Sequence, residues 1–251
     1  MKQTRVVLLG ASNLTLGLSI VLAMARARLG PGPLEVLVAA GHGRSYGRWS
    51  RVFVRGLPPI LGCGLWPAAR RPIDGRTYAL VTDIGNDIAY GASPAELSGW
   101  VTACLDHLEE LGAEIVVTLL PAQSLARLSR WQYHLVKTLV FPGRRLPYAT
   151  FHAHVAEVNA RLGALAAERG LTLVAPQPHW YGRDTIHVRK SQRPSAWASI
   201  LSRWNGSLTE EPIRRVSSRG LTPEWQTLFG VSRRRPQPSG RLDDGTIVSL
   251  F

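Results

Sequence analysis

The fold of this chain is decided near its start by the stretch Val6-Val7-Leu8-Leu9-Gly10-Ala11-Ser12-Asn13. Its first four residues form an unbroken apolar run, which is typical of a strand buried on both faces of a parallel sheet. Small and polar residues interrupt the run, and residues 14–29 then carry apolar side chains at helical spacing. The stretch therefore predicts a buried strand that turns sharply into a helix, with Ser12 at the turn.

The same alternation of apolar runs and helical segments continues along the chain. Further strands are predicted at 34–40, 78–84, 114–120 and 171–175, and further helices at 94–111, 150–169 and 194–204. This order predicts the α/β class, as a flavodoxin-like three-layer α/β/α sandwich whose central parallel sheet has about five strands. Ligands of such sheets bind beyond the carboxyl ends of the strands.

The last part of the chain departs from this pattern. From residue 205 the sequence is rich in Arg, Ser, Pro and Gly. We expect residues 205–251 to form a basic C-terminal extension that is partly flexible or docked on the body, with Trp225, Leu228 and Phe229 as docking side chains.

The net charge is +13, and two interpretations of it are open. A basic protein can bind nucleic acid or an anionic membrane surface. However, almost all of the positive charge is Arg, the Arg residues are scattered, and only Lys2, Lys137 and Lys190 are lysines. We therefore favour a compositional bias and expect no specific nucleic-acid partner. The sequence gives no indication of the oligomeric state.

The sequence also bears on the compartment. No apolar run reaches the ~18 residues that span a bilayer. The apolar run at 6–9 is too short for the core of a signal peptide. The two cysteines, Cys63 and Cys104, show no disulfide pattern. We therefore expect a cytoplasmic protein without a transmembrane segment.

Four short segments carry residues suited to catalysis. Three of them follow the first three predicted strands, and the fourth precedes the last predicted helix. Because the carboxyl ends of parallel strands meet at one edge of a sheet, the segments are expected to lie together. They are Gly10-Ala11-Ser12-Asn13, Gly41-His42-Gly43, Ile84-Gly85-Asn86-Asp87 and Asp184-Thr185-Ile186-His187.

In this order, the four segments resemble the conserved blocks of the SGNH (GDSL-like) hydrolase superfamily. The first is similar to the Gly-Asp-Ser nucleophile block, with Ala11 in the place of Asp. The second lies where the family places an oxyanion-hole glycine, the third is similar to Gly-x-Asn-Asp, and the fourth matches Asp-x-x-His. The resemblance covers residues 5–204 and implies an SGNH-like hydrolase domain over residues 1–204.

The resemblance implies a catalytic triad. A serine hydroxyl is a poor nucleophile until a base takes its proton. His187 would be that base for Ser12, and Asp184 would hold the imidazole in the required tautomer. Such a mechanism requires neither a metal nor a cofactor. His152 and His154 lack carboxylate or thiolate partners at metal-ligand spacing, so no metal site is expected.

The resemblance also implies an oxyanion hole. Its donors would be the backbone N–H groups of Ser12 and Gly43 and the side-chain amide of Asn86. Gly41 is an alternative for the second donor, and the spacing does not decide between the two glycines.

The expected function is hydrolysis of an ester or thioester through a covalent acyl-enzyme on Ser12, as in an acylhydrolase or deacetylase. The substrate would be a small-molecule acyl ester or an acylated sugar. Two aromatic-rich segments, 49–66 and 131–141, are candidates for the substrate wall or, equally, for core packing.

Several alternatives remain open at the level of sequence. The same triad could transfer the acyl group to another acceptor, or the fold could serve as a non-catalytic binding module. Ser12 or Asn13 could simply cap the following helix. Tyr133 and Lys137 have the Tyr-x-x-x-Lys spacing of short-chain dehydrogenases, but the glycines after Gly10 do not form a dinucleotide-binding motif.

Overall fold

We describe the fold from a computed structural model, which covers residues 3–30, 32–134, 146–206 and 220–251. The strands are β1 (Thr4–Leu9), β2 (Leu34–Ala39), β3 (Ser50–Val52), β4 (Arg55–Leu57), β5 (Thr77–Val81), β6 (Glu114–Thr118), β7 (Thr172–Val174), β8 (Trp225–Leu228), β9 (Val231–Arg234), β10 (Gly240–Arg241) and β11 (Ile247–Leu250). The helices are α1 (Ser12–Leu29), α2 (Leu65–Ala69), α3 (Asn86–Ala89), α4 (Pro94–Glu110), α5 (Ala122–Leu125), α6 (Tyr148–Arg169) and α7 (Arg193–Leu201).

A seven-stranded sheet forms the centre of the molecule, in the order β10-β11-β2-β1-β5-β6-β7. All neighbouring strands are parallel except β10, which is antiparallel to β11. Both faces of this sheet are covered. Val6 and Leu8 of β1 pack in the cluster that includes α1 and α7, and Val7 and Leu9 pack in the cluster that includes α4 and α6. The predicted three-layer α/β/α architecture is therefore confirmed.

The expected number of strands, about five, is too low. The five predicted strands correspond to β1, β2, β5, β6 and β7, and the two further strands come from the C-terminal segment. There β11 pairs with β2 in parallel, and its Val248 is fully buried. These strands escape prediction because they are four and two residues long and lie in a sequence dominated by turn-forming and charged residues.

A second sheet of four antiparallel strands, β3-β4-β8-β9, lies beside the first. Its strands β3 and β4 belong to the long connection between β2 and β5. Trp225 and Leu228 lie in β8, which pairs with β4, whereas Phe229 is 74% exposed. Within the predicted extension, residues 220–251 thus supply strands to both sheets, and residues 207–219 lie outside the described residues.

The C-terminal segment also supports the loop that follows β2. The guanidinium of Arg44 is fully buried and donates hydrogen bonds to the main-chain oxygens of Pro58, Ala40 and Phe251. Arg44 therefore ties the loop after Gly43 to the residue that follows β11.

Helix ends follow local sequence rules. Ser93 caps α4 and accepts a hydrogen bond from the backbone N–H of Glu96, whose carboxylate accepts one from the N–H of Ser93. α6 ends at Arg169, and its C-cap residue Gly170 has the left-handed conformation that glycine adopts most readily. Among the described residues, no helix combines the length and apolar character needed to cross a membrane.

The pairing of β11 with β2 generates a prediction about stability. Val248→Asp places a carboxylate at a fully buried position of the sheet, so it should lower the free energy of unfolding by about 3 kcal/mol or more. The matched control is Val231→Asp, because Val231 lies in β9 and is 60% exposed. Urea unfolding of both variants measures the difference, and equal effects would show that β11 is not part of the core.

Candidate active site

Ser12 lies where β1 turns into α1. The helix begins at Ser12, so that its N-cap residue is Ala11, which makes no side-chain capping hydrogen bond. The alternative that Ser12 or Asn13 merely caps α1 is therefore wrong. The Ser12 side chain is directed instead toward His187, with 3.0 Å between Oγ and Nε2.

The loop before α7 brings His187 and Asp184 together. The Nδ1 atom of His187 lies 2.7 Å from Oδ2 of Asp184, and the other carboxylate oxygen accepts hydrogen bonds from the backbone N–H groups of Ile186 and His187. Because Asp184 accepts the Nδ1 proton, Nε2 is left free to accept the proton of Ser12. Ser12, His187 and Asp184 thus form a continuous hydrogen-bonded chain.

The charges of His187 and Asp184 stabilise each other. The hydrogen bond to Asp184 raises the pKa of His187 above its ordinary value, against the opposing effect of burial. Burial would raise the pKa of Asp184, but the hydrogen bond and positive charge of His187 lower it overall. The carboxylate therefore stays ionised and stabilises an imidazolium at His187.

Asp83 holds the turn that carries Ser12. One oxygen of its carboxylate accepts the backbone N–H groups of Ala11 and Leu14, each at 3.0 Å, and the other accepts the side-chain amide of Asn13 at 2.9 Å. Asp83 follows β5 and has a φ of 58°, a value that non-glycine residues adopt with strain. The carboxylate of Asp83, at the end of the neighbouring strand, thus accepts hydrogen bonds from N–H groups at the start of α1. The side chain of Ala11 has no acceptor atom for them.

Asn13 connects this turn to the histidine loop. Its amide nitrogen also donates to the carbonyl of Ile186 at 3.2 Å, and its oxygen accepts the N–H of Val188 at 2.8 Å. The two residues on either side of His187 are therefore bound to the residue after Ser12. This link fixes the distance between the nucleophile and its base.

Two residues of the predicted oxyanion hole, Asn86 and Gly43, lie close to each other. The Asn86 amide donates to the carbonyl of Arg44, the residue after Gly43, at 3.3 Å. Gly43 has a φ of 64°, and a Cβ atom there would lie 2.2 Å from Cγ2 of Val52, so glycine is required at this position. The carbonyl of Gly43 accepts a hydrogen bond from the hydroxyl of Tyr90.

Gly41 is restricted in a different way. A Cβ atom there would lie 2.1 Å from Cδ1 of Leu57, but its φ is not in the left-handed region. Both glycines therefore permit close packing of β3 and β4 against this loop. The assignment of Gly43 as the oxyanion donor, with Gly41 as the alternative, stays a prediction.

Asp87 anchors the far end of the same loop. Its buried carboxylate accepts hydrogen bonds from the hydroxyl of Ser45 and the backbone N–H of Tyr46. Burial raises the pKa of Asp87 to about 6, although these hydrogen bonds oppose the shift. In this chain the block reads Gly-Asn-Asp, with Gly85 directly before Asn86, whereas the family block has a residue between them.

A cavity of about 130 Å³ opens beside Ser12 and Asn86, beyond the ends of β5 and β6. Its floor includes Thr82 and Thr118, whose hydroxyls are hydrogen-bonded to each other. Apolar side chains dominate one of its walls, among them Leu120, Leu125, Leu128, Tyr133, Phe151 and Val155. This arrangement can hold an apolar group next to the serine hydroxyl.

The two aromatic-rich segments, 49–66 and 131–141, were expected to form either a substrate wall or part of the core, and their residues differ in this respect. Tyr133 lines the cavity, Trp66 belongs to the core, and Trp49 and Trp131 are 43% and 71% exposed. Phe141 and Lys137 lie outside the described residues.

The structure thus brings together Ser12, Asp184 and His187, and places Asn86 beside the loop of Gly43. Sequence reasoning missed Asp83 and Asn13 as the residues that hold them. The signal was present, because Ala11 leaves the nucleophile turn without a carboxylate while Asp83 stands at the end of the adjacent strand. Among the described residues, no group of three or more His, Cys, Asp or Glu side chains is arranged to hold a metal ion.

Comparisons with known proteins bear on the fold. No protein family matches the sequence, and no curated protein matches it either. Solved structures do match. Est24, a carbohydrate acetylesterase from Sinorhizobium meliloti, has a TM-score of 0.54 and 17% identity, and the match covers 79% of this chain and 97% of that one. An aryl esterase of M. Smegmatis has a TM-score of 0.50 and 11% identity, over 79% and 97% of the two chains. The chain therefore has the SGNH hydrolase fold.

The contact between His187 and Asp184 generates a prediction about protonation. The pKa of the His187 imidazole should lie above its ordinary value in the unmodified protein, because of its hydrogen bond to Asp184. Asp184→Asn removes the charge that favours the imidazolium, so the pKa of His187 should fall. NMR titration of the imidazole resonances measures both values. Asp74→Asn is the control, because Asp74 is exposed and lies outside the site, and an equal shift in both variants would contradict the assignment.

Proposed function

We propose that this protein is a serine esterase of the SGNH type, an acylhydrolase that uses Ser12 as its nucleophile. The observation that carries the proposal is the hydrogen-bonded chain from Ser12 Oγ through His187 to Asp184, with distances of 3.0 and 2.7 Å. The names of the structurally similar proteins, an aryl esterase and a carbohydrate acetylesterase, agree with this class of reaction.

The reaction proceeds in two steps. His187 takes the proton of Ser12 as Oγ attacks the acyl carbon, and Asp184 stabilises the resulting imidazolium. The tetrahedral intermediate then collapses, the alcohol leaves with the proton from His187, and the acyl group stays on Oγ. A water molecule next gives its proton to His187 and attacks the acyl carbon. Release of the acid returns that proton to Ser12.

Charge on the acyl oxygen is stabilised by three proposed donors. They are the backbone N–H groups of Ser12 and Gly43 and the side-chain amide of Asn86. The proximity of Asn86 to the loop of Gly43 supports this set. Preorganised donors of this kind act without reorganisation during the reaction.

The proposed substrate is a small-molecule acyl ester, thioester or acylated sugar. The apolar wall of the cavity beside Ser12 supports an apolar acyl group. The proposed reaction requires no cofactor, since proton transfer and nucleophilic attack are both supplied by side chains.

Labelling with a fluorophosphonate tests the proposal directly. The probe should modify Ser12, as located by mass spectrometry, because only a serine activated by a base reacts readily. Ser12→Ala should lose labelling and lower the hydrolysis of nitrophenyl esters by about 10⁴-fold or more. Ser98→Ala, a change on α4, should keep both. Labelling at another serine, or full turnover by the Ser12→Ala variant, would overturn the mechanism.

Replacement of Asn86 tests the oxyanion hole separately. Asn86→Ala removes one donor and should lower kcat by about 100- to 1,000-fold, with a much smaller change in KM. Steady-state kinetics with a nitrophenyl ester gives both constants, and thermal unfolding checks that the fold is intact. A variant with normal kcat would show that Asn86 does not contact the developing charge.

A further inference from the structure

Arg55 lies over the loop that carries the proposed oxyanion donor. In β4 it stands directly opposite Val52 of β3, and two residues before Leu57. Side chains at these positions share one face of the sheet. Val52 packs against Gly43 and Leu57 packs against Gly41, since added Cβ atoms at those glycines would meet them. The side chain of Arg55 therefore projects from the same face, toward residues 41–43.

The guanidinium of Arg55 is half-buried, yet it has no partner among the residues the structure describes. Its Nε atom is buried without a hydrogen bond, and none of the described carboxylates forms an ion pair with it. By contrast, Arg51 on the opposite face of the same hairpin is exposed and donates its Nε proton to the carbonyl of Phe53. A partly desolvated cation without a partner is unfavourable, and an anionic ligand would relieve this cost.

Arg55 also lies within electrostatic range of His42, a residue that the charge of His187 reaches as well. Burial lowers the pKa of His42, and the positive charges of His187 and Arg55 lower it further, against the opposing charge of Asp83. His42 is therefore within electrostatic range of both the proposed base and Arg55. The carboxylate of Asp83 is already engaged by the nucleophile turn. It is therefore not a partner for Arg55.

We propose that Arg55 is the anion-binding residue of a substrate subsite, and that the protein acts on esters whose alcohol portion carries a carboxylate or phosphate. This inference rests on the proposed esterase function. The apolar cavity lies beyond β5 and β6, whereas Arg55 lies across the loop of residues 41–43. An ester bound at Ser12 thus places its acyl group in the cavity and its anionic group on Arg55. The guanidinium suits both anions because it donates paired hydrogen bonds to either.

Matched acetate esters test the subsite. They are 4-acetoxybenzoate and 4-acetoxyphenyl phosphate, which are anionic, and methyl 4-acetoxybenzoate, which is neutral. Arg55→Gln should lower kcat/KM for an anionic ester by about 10- to 100-fold, mainly through KM, and leave the neutral ester unchanged. Each variant is compared with the unmodified protein on the same ester, so that differences in leaving-group reactivity cancel. A loss confined to the carboxylate or to the phosphate ester identifies the anion.

Two further variants separate charge recognition from structural damage. Arg55→Lys keeps the charge and should retain most of the selectivity for an anionic ester. Arg51→Gln removes a charge from the opposite face of the same hairpin and should change neither class of ester. Equal losses on neutral and anionic esters in Arg55→Gln, or no loss on either anionic ester, would overturn the subsite.

A binding measurement distinguishes failure of this inference from failure of the proposed function. If the unmodified protein hydrolyses none of the esters, the esterase proposal fails, but calorimetry still tests Arg55. The ligands are 4-hydroxybenzoate, 4-hydroxyphenyl phosphate and methyl 4-hydroxybenzoate. Tighter binding of an anion than of the neutral ester, lost in Arg55→Gln, supports the subsite. Equal binding of all three by the unmodified protein refutes it.

Discussion

The carboxylate of Asp83 is the interaction on which the site depends. It accepts two backbone N–H groups of the nucleophile turn and the amide of Asn13, and Asn13 in turn holds both residues that flank His187. One negative charge at the end of β5 thereby positions the serine and, through one intermediary, its base. It also favours the start of α1, because a helix N-terminus attracts negative charge.

The sheet brings these groups together from distant parts of the sequence. Ser12 and His187 are separated by 175 positions, yet their side chains are hydrogen-bonded. Parallel strands place all their carboxyl ends at one edge, and short loops beyond those ends need to extend only a little to meet. The rigid part of the molecule thus sets the geometry, while the loops supply the chemistry.

The order of the apolar runs was sufficient to predict the α/β fold, because buried parallel strands are continuous in sequence. The resemblance carried by four short segments also led us to expect Ser12, His187 and Asp184 to lie together, as their hydrogen bonds show. The contribution of β11 to the sheet could not be predicted, because a strand of four residues after a Pro- and Arg-rich stretch has no distinctive local pattern. Asp83 was missed for a different reason. Asp83 acts through hydrogen bonds to the turn between β1 and α1, which is distant in sequence. Local residue spacing does not predict such a contact.

The position of β11 has a consequence for the order of events during synthesis. β2 and the loop after it are translated early, but β2 acquires its outer neighbour, and Arg44 its contact with Phe251, only when residues 247–251 have left the ribosome. Contacts between such distant residues form slowly because a long segment must first be closed. The nascent chain therefore exposes an unpaired edge at β2 until β11 has been translated, and such an edge is prone to aggregation.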